Sequence, residues 1–468
     1  MFNQMGVCQL EGEYTMTDRK LETPSNASLS RRALLAAGTG LAATTLWPSA
    51  ISGPAWAAGE APIGTWPDGT SGTTVTIGAT VPRTGAYAVQ GEDELKGMQL
   101  AVDHINSGDP LIKRIAPKLT KGLLGKQVQL VVADSGAKPN DAVQEQQRFI
   151  TENKIIAMTG STSSAVAVAL NKFAEREKVV YLVAISGSND TTGKDCARYS
   201  FRQCFYGETA ANAIGPVVVK NFGKNRKAAF MTPDYTYGHT VTKSVNDYLS
   251  QNAGWQMVTN QISPLGTQDF SQYLTNIANS GAEFIVNVNW GRDAVLSIQQ
   301  AKQFGLIPKM TLIIPYQIPF LAKEVGPELT AGVFAATDFW WTLQDRYPLA
   351  KMFVDSFYKK YNYRPEWGAE NSYMQFAIWA RMVSEAGTFY PPDVIKTYEK
   401  GETFPSFVGD VHFRAADHQL VRPVVIVRGK KPGDMKNSED YWEVLEVVPG
   451  ESLMQKPDAF GCSLGDYT

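Results

Sequence analysis

The chain has 468 residues, 44% of them hydrophobic and 19% charged, with a formal charge of −2. That length exceeds what one core usually supports, so two lobes are expected, and the composition is that of a globular protein. The near-neutral balance, without any block of like charge, gives no nucleic-acid footprint.

After a loose leader to residue 29, Ser30-Arg31-Arg32-Ala33-Leu34-Leu35 opens an Ala/Gly/Leu/Thr-rich run to Trp47, followed by Ala55-Trp56-Ala57. This order resembles a twin-arginine signal peptide cleaved after Ala57, and translation could begin at Met16. The run is too short for a membrane span and no cysteine sits at the cleavage point. The expected mature chain is therefore periplasmic, folded, soluble and without a lipid anchor. Cys8 leaves with the leader, and in an oxidising compartment Cys196, Cys204 and Cys462 allow one disulfide. Proximity favours Cys196 with Cys204; Cys196 with Cys462 would staple the tail to the first lobe.

Residues 58–72 are rich in Pro, Gly and Thr and read as a flexible lead-in. Thr73 to Thr80 is a β-branched strand, and Glu92 to Asn106 a helix with Leu95, Met98, Ala101, Val102 and Ile105 at helical spacing. Strand 127–133 and helix 141–151 follow. Next come strand 155–158, helix 163–176 and strand 179–184. After helix 208–222 the pattern repeats in strands 227–231, 255–262, 282–289, 310–314 and 333–336, with helices 239–252, 268–280 and 291–304 between them. Helices 347–361 and 368–386, a short helix from Pro392, a hairpin-like pair 407–413 and 421–428 and a last strand near 442–448 complete the chain. Such alternation predicts parallel sheets wrapped by helices.

The informative residues fall just past strand ends, where ligands sit in open α/β sheets. Thr159-Gly160-Ser161-Thr162, with Ser163 and Ser164, ends one strand and caps a helix; Ser186-Gly187-Ser188-Asn189-Asp190 ends the next. One such turn is what a helix cap looks like. Two on neighbouring strands, with hydroxyls and free amides at a helix N-terminus, point to a small-molecule site suited to an anion such as a carboxylate. In the second half Tyr235 and Tyr237, Trp290, Tyr316 and Gln317, and Asp338 to Trp341 occupy comparable strand ends and would line a cleft with aromatic rings.

Catalytic patterns do not occur: there is no G-x-G-x-x-G after a strand, no P-loop, no G-x-S-x-G, no H-E-x-x-H and no CxxC. Asp134 without a glycine turn is weak as a ribose ligand, and Asp417-His418 reads as a turn hydrogen bond. No enzyme, cofactor or metal is expected.

The stretches TVTIGATVPRTGAYAVQGEDELKGMQLAVDHIN, GSTSSAVAVAL, AISGSNDTTGKDC, TPDYTYGHT, QDFSQYLTNIANSGAEFIVNVNWGRDAV and FRAADHQ together resemble periplasmic substrate-binding proteins of ABC importers, of the branched-chain amino acid and amide type. The resemblance covers residues 73–448. It implies the type I periplasmic binding fold: two Rossmann-like lobes with parallel sheets, three crossovers and a ligand cleft between them. Lobe 1 would be 73–205 with 342–418, lobe 2 206–341 with 419–448, and 449–468 a tail. It also implies a small-molecule ligand, an ABC permease in the inner membrane as partner, and a monomer; a periplasmic sensor of the same fold is the alternative.

By the same resemblance, Ser163 or Ser164 looks like the carboxylate-binding hydroxyl, Ser188 with Asn189 or Asp190 like its partner, Tyr237 with Tyr235 like the closing tyrosine, and Trp290 like a second aromatic. Amino-acid binders of this kind present an acid near Ile314-Pro315-Tyr316-Gln317, and none is there. A buried ammonium without a counter-charge is costly, so an aromatic or extended carboxylate or a neutral amide is expected unless Asp190 or Asp338 supplies the charge.

Overall fold

The computed structural model of the protein describes residues 61–467; the leader with Arg31-Arg32, Ala57 and Cys8 lies outside them. Strand β1 (Thr74–Val81) leads into helices α1 (Ala88–Ser107) and α2 (Pro110–Ile115). Then come β2 (Gln127–Asp134), α3 (Pro139–Asn153), β3 (Ala157–Gly160), α4 (Ser164–Glu177), β4 (Val180–Val183) and β5 (Ser200–Arg202). These strands form a parallel sheet in the order β2-β1-β3-β4-β5. Gly78 lets α3 lie close on β1, since a Cβ there would come 2.6 Å from Gln146 Oε1.

The second series is α5 (Gly207–Phe222), β6 (Lys227–Pro233), α6 (Thr236–Ala253), β7 (Gln256–Ser263), α7 (Ser271–Ala278), β8 (Phe284–Asn287), α8 (Gly291–Gln303), β9 (Thr311–Ile314), α9 (Leu321–Val325), α10 (Pro327–Thr330) and β10 (Phe334–Thr337). The chain returns through α11 (Pro348–Tyr361) and α12 (Trp367–Ala386), the latter packed on α1, and α13 (Pro391–Tyr398). Gly97 permits that crossing, because a Cβ there would meet Ala369 O at 2.2 Å.

Strands β11 (Phe404–Ser406), β12 (Gly409–Phe413) and β13 (Leu420–Val421) make a small antiparallel sheet. The last strands, β14 (Val424–Gly429) and β15 (Trp442–Val448), complete a seven-stranded sheet, β15-β14-β10-β9-β8-β6-β7.

The chain thus passes between the two large sheets three times, after β5, after β10 and after β13. One carboxylate ties the passes together. Asp338 Oδ1 accepts the Phe205 amide at 3.1 Å and lies 3.1 Å from Arg422 Nε, and its other oxygen accepts from Asn371 Nδ2 at 2.6 Å. Arg422 also pairs with Glu370 at 3.2 Å, and all three charged side chains are buried.

Four expectations are corrected. The hairpin-like pair 407–428 is split: β12 pairs with β13 for two residues, Pro423 interrupts, and β14 joins β10 in the other sheet. The lead-in is packed from Ile63: Thr65 Oγ1 donates to Ile155 O at 2.6 Å and Trp66 meets Tyr390 at 6.0 Å between ring centroids. Asp417 pairs with Arg414, whereas His418 Nε2 faces Glu399 Oε1 at 2.9 Å, so the two turn residues do not bond each other. Finally, the disulfide joins Cys196 to Cys462 and not to Cys204. Cys204 is fully buried after β5, where its thiol accepts from the Ser186 amide, and burial pushes it up to about 11. Cys196 lies in the turn that faces the tail.

Candidate functional site

The hydroxyl turn after β3 takes an unusual path. Ser161 has φ 150° and Thr162 φ 54°, positive values that a non-glycine residue adopts only under constraint. The constraint is visible: Ser161 Oγ donates to Ile185 O and Thr162 Oγ1 to a carboxylate oxygen of Glu94. The turn leaves Ser163, the residue before α4, fully buried with its Oγ unpartnered. Ser164 Oγ instead accepts the Ser188 amide at 3.2 Å, which joins the two hydroxyl turns.

The turn after β4 is spent on contacts with the second half. Ser188 Oγ meets Thr236 Oγ1 at 2.7 Å and accepts the Asp190 amide at 3.1 Å. Asn189 donates to Ser244 Oγ and accepts the Glu208 amide. Asp190 accepts from Thr236 at 2.6 Å and pairs with Lys194 at 2.9 Å. Asp338 is committed to Arg422, as described above. Neither acid is free to serve as a counter-charge.

Beside Ser188 the aromatic strand ends converge. Tyr237 and Tyr316 are 5.5 Å apart and edge-on, Trp290 meets Tyr316 at 5.6 Å, and Tyr237 meets Trp290 at 6.2 Å. Gly187 brings the first half against them, since a Cβ there would lie 2.8 Å from Tyr316 and 2.9 Å from Tyr237. Tyr316 is held by Phe205, with rings stacked at 4.0 Å and its hydroxyl donating to Phe205 O at 3.0 Å. Gln317 is also engaged, donating to Ile318 O at 2.9 Å and accepting from Thr337. Tyr235 reaches across to Tyr87, hydroxyl to hydroxyl at 2.8 Å. The Tyr237 hydroxyl, the Trp290 indole N–H and the Asn289 amide are buried without partners.

Three contributors escaped the sequence reading. Trp367, the first residue of α12, packs on Trp290 at 5.4 Å and on Tyr316 at 5.5 Å. Gln90 and Glu94, one turn apart on α1, each keep one buried oxygen unpartnered. Burial pushes Glu94 up to about 8, against the hydrogen bond from Thr162. Glu94 precedes Met98 by four residues, so a carboxylate on an otherwise apolar stripe was the available signal. Among the described residues no group of three or more His, Cys, Asp or Glu is placed to hold a metal.

The arrangement can clasp a small body between ring faces while offering hydroxyl and indole donors to an oxygen acceptor. A cavity of about 1030 Å³ lies elsewhere, between α1 and α9, lined by Arg83, Asp93, Lys96 and Lys323 among others.

Residues 74–434 match the family described as periplasmic binding protein. The Leu/Ile/Val-binding protein homolog 8 of Brucella abortus is 26% identical over 342 residues, covering 71% of this chain and 81% of that one. A periplasmic binding protein of Burkholderia mallei has a TM-score of 0.75 at 24% identity, covering 83% and 100% of the two chains. A solute-binding protein of an ABC transporter from R. palustris, in complex with benzoate, has a TM-score of 0.69 at 20% identity, covering 83% and 99%.

Proposed function

The chain belongs to the periplasmic binding protein family, and from that premise we propose that it is the extracytoplasmic solute-binding component of an ABC importer. Its lobes, 73–205 with 342–418 and 206–341 with 419–448, close over one small organic solute and present it to an inner-membrane permease. The relatives are described as binders, one a Leu/Ile/Val-binding protein homolog and one a solute-binding protein in complex with benzoate. Export by the twin-arginine route and a monomeric state belong to the same reading. No described helix is long and apolar enough to cross a membrane.

The ligand class follows from the site. We assign the cleft an aromatic or extended carboxylate, or a neutral amide. The observation that carries this is the set of buried, unpartnered donors: Tyr237 OH and Trp290 Nε1, packed with Tyr316 and Trp367, and Ser163 Oγ at the start of α4. The acids anticipated as counter-charges, Asp190 and Asp338, are already paired. Ligand binding to both lobes stabilises the closed form, which is the form a permease would read. The benzoate complex of a neighbour with this fold supports the carboxylate arm.

The test is a thermal-shift screen of residues 58–468 with aromatic carboxylates, short amides, urea and aliphatic amino acids. A ligand at about 100 times its dissociation constant adds about 2.7 kcal/mol of stability. A carboxylate or amide hit, weakened in Ser163→Ala and Tyr237→Ala, is the expected result. A hit confined to leucine-like amino acids overturns the ligand class and directs attention to Glu94.

A further inference from the structure

A second cavity, about 420 Å³, lies where α9, α11, the start of α12 and the loop before β15 meet. Its walls are aromatic: Phe320, Trp340, Trp341, Tyr358, Tyr363 and Tyr441. Glu366 also lines it, only 4% exposed, with one carboxylate oxygen unpartnered; Trp340, 3% exposed, leaves its indole N–H unpartnered as well.

Glu366 is a buried acid without a countercharge. The groups that act on its charge are the Phe320 backbone and the Gln317 side chain, which favour it, and two further carboxyls, Asp93 and Glu439, which oppose it. Among the described residues no Lys, Arg or His forms an ion pair with it. Two cations also line the cavity, and neither pairs with Glu366: Arg364 pairs with Glu439 at 2.6 Å and lies on the Trp341 ring at 4.4 Å, and the exposed Lys323 lies over the Phe320 ring. A buried carboxyl is retained at a cost unless something positive completes it. Rings presented around such a group attract a cation through their negative faces, most strongly when the cation is desolvated.

We propose that this cavity is a second ligand site, which takes a small organic ammonium ion with Glu366 as its counter-charge and the surrounding indole and phenol rings as its walls. The walls come from both halves of the chain: Phe320 from the β9–β10 segment, Tyr358 and Tyr363 from α11 and the loop after it. An ion bound there bridges the halves, so it acts on closure rather than occupying the cleft. Burial and the neighbouring acids push Glu366 up to about 8, so near neutral pH it holds a proton that it would have to release to pair with a bound cation.

The test is calorimetric titration of residues 58–468 with choline and with ethanolamine, against 3,3-dimethylbutan-1-ol, the uncharged isostere of choline. At least one ammonium ion should bind saturably, and the isostere at least about tenfold more weakly. Glu366→Gln should lose at least about tenfold in ammonium affinity, and Tyr358→Ala, at the exposed rim, about threefold. Tyr237→Ala, in the cleft, should leave ammonium binding intact. Saturable binding by neither ion overturns the proposal, as does equal binding of the isostere. So does a Glu366→Gln variant that melts like the parent and binds like it; should that variant fail to fold, unchanged binding in Tyr358→Ala overturns it. Loss in Tyr237→Ala assigns the ion to the cleft instead.

Discussion

The hydroxyls of Tyr87 and Tyr235 lie 2.8 Å apart, one beyond β1 and the other beyond β6, so one hydrogen bond joins the two sheet edges across the cleft. It exists only while the edges are together. Tyr235→Phe should therefore weaken ligand binding by about 1 kcal/mol, roughly fivefold, with little change in the unliganded melting midpoint. Calorimetry and melting curves on the same variant check both halves of that expectation.

Adjacent serines should behave in opposite ways. Ser163 Oγ has no partner, whereas Ser164 Oγ accepts the Ser188 amide. Ser163→Ala should leave unliganded stability within about 0.5 kcal/mol and weaken ligand binding by about 1 kcal/mol or more. Ser164→Ala should cost the unliganded protein about 1–3 kcal/mol, because it strands a buried amide. Denaturant titration with and without ligand separates the two.

Arg422 holds Asp338 and Glu370 where the three chain passes meet. Arg422→Met leaves two buried carboxyls facing each other and should destabilise by about 3–5 kcal/mol. Asp338→Asn with Arg422→Met should recover part of that loss. A double-mutant cycle in urea reads the coupling.

Glu94 gives stability a pH dependence of defined sign. Its folded value near 8 stands above the ordinary 4.5, raised by burial, so the folded chain holds a proton that the unfolded chain releases. The resulting stability is fully present below about pH 4.5 and is lost as pH rises through 8, at up to about 1.4 kcal/mol per pH unit. Melting midpoints between pH 5 and 9 should fall less steeply in Glu94→Gln than in the parent.

The tail is held at both ends of its course. Asn212 Nδ2 donates to Leu453 O at 2.9 Å beside the second sheet, and Cys462 is bonded to Cys196 beside the first. Tyr199 donates to the carbonyl of Tyr467. Cys462→Ser should cost about 2–4 kcal/mol and make residues beyond 453 the first cleaved in limited proteolysis. Thiol labelling of that folded variant should reach Cys196 and spare the buried Cys204.

The α/β alternation was legible because each strand is a short β-branched or apolar run and each helix carries a stripe; the type I fold came from the family resemblance of the ordered stretches. The split of 407–428 was not, because Pro423 only interrupts pairing, and the partner of β14 lies far back in the chain at β10. At the site, residues directly past strand ends could be named from sequence. Trp367 could not, since it opens a helix after the second crossing and reaches the aromatic cluster only through tertiary packing. Asp190 shows the converse: its position was legible, its engagement with Thr236 and Lys194 was not.

Cysteine spacing along the chain would have chosen Cys204, and packing chose Cys462, 266 residues from Cys196. That choice has a temporal side. The bond can form only after the segment that carries Cys462 has been made and has come to lie beside the first sheet, where the nearer thiol of Cys204 is buried. A Cys196–Cys462 bond therefore reports that the tail has reached its place against the first half of the chain.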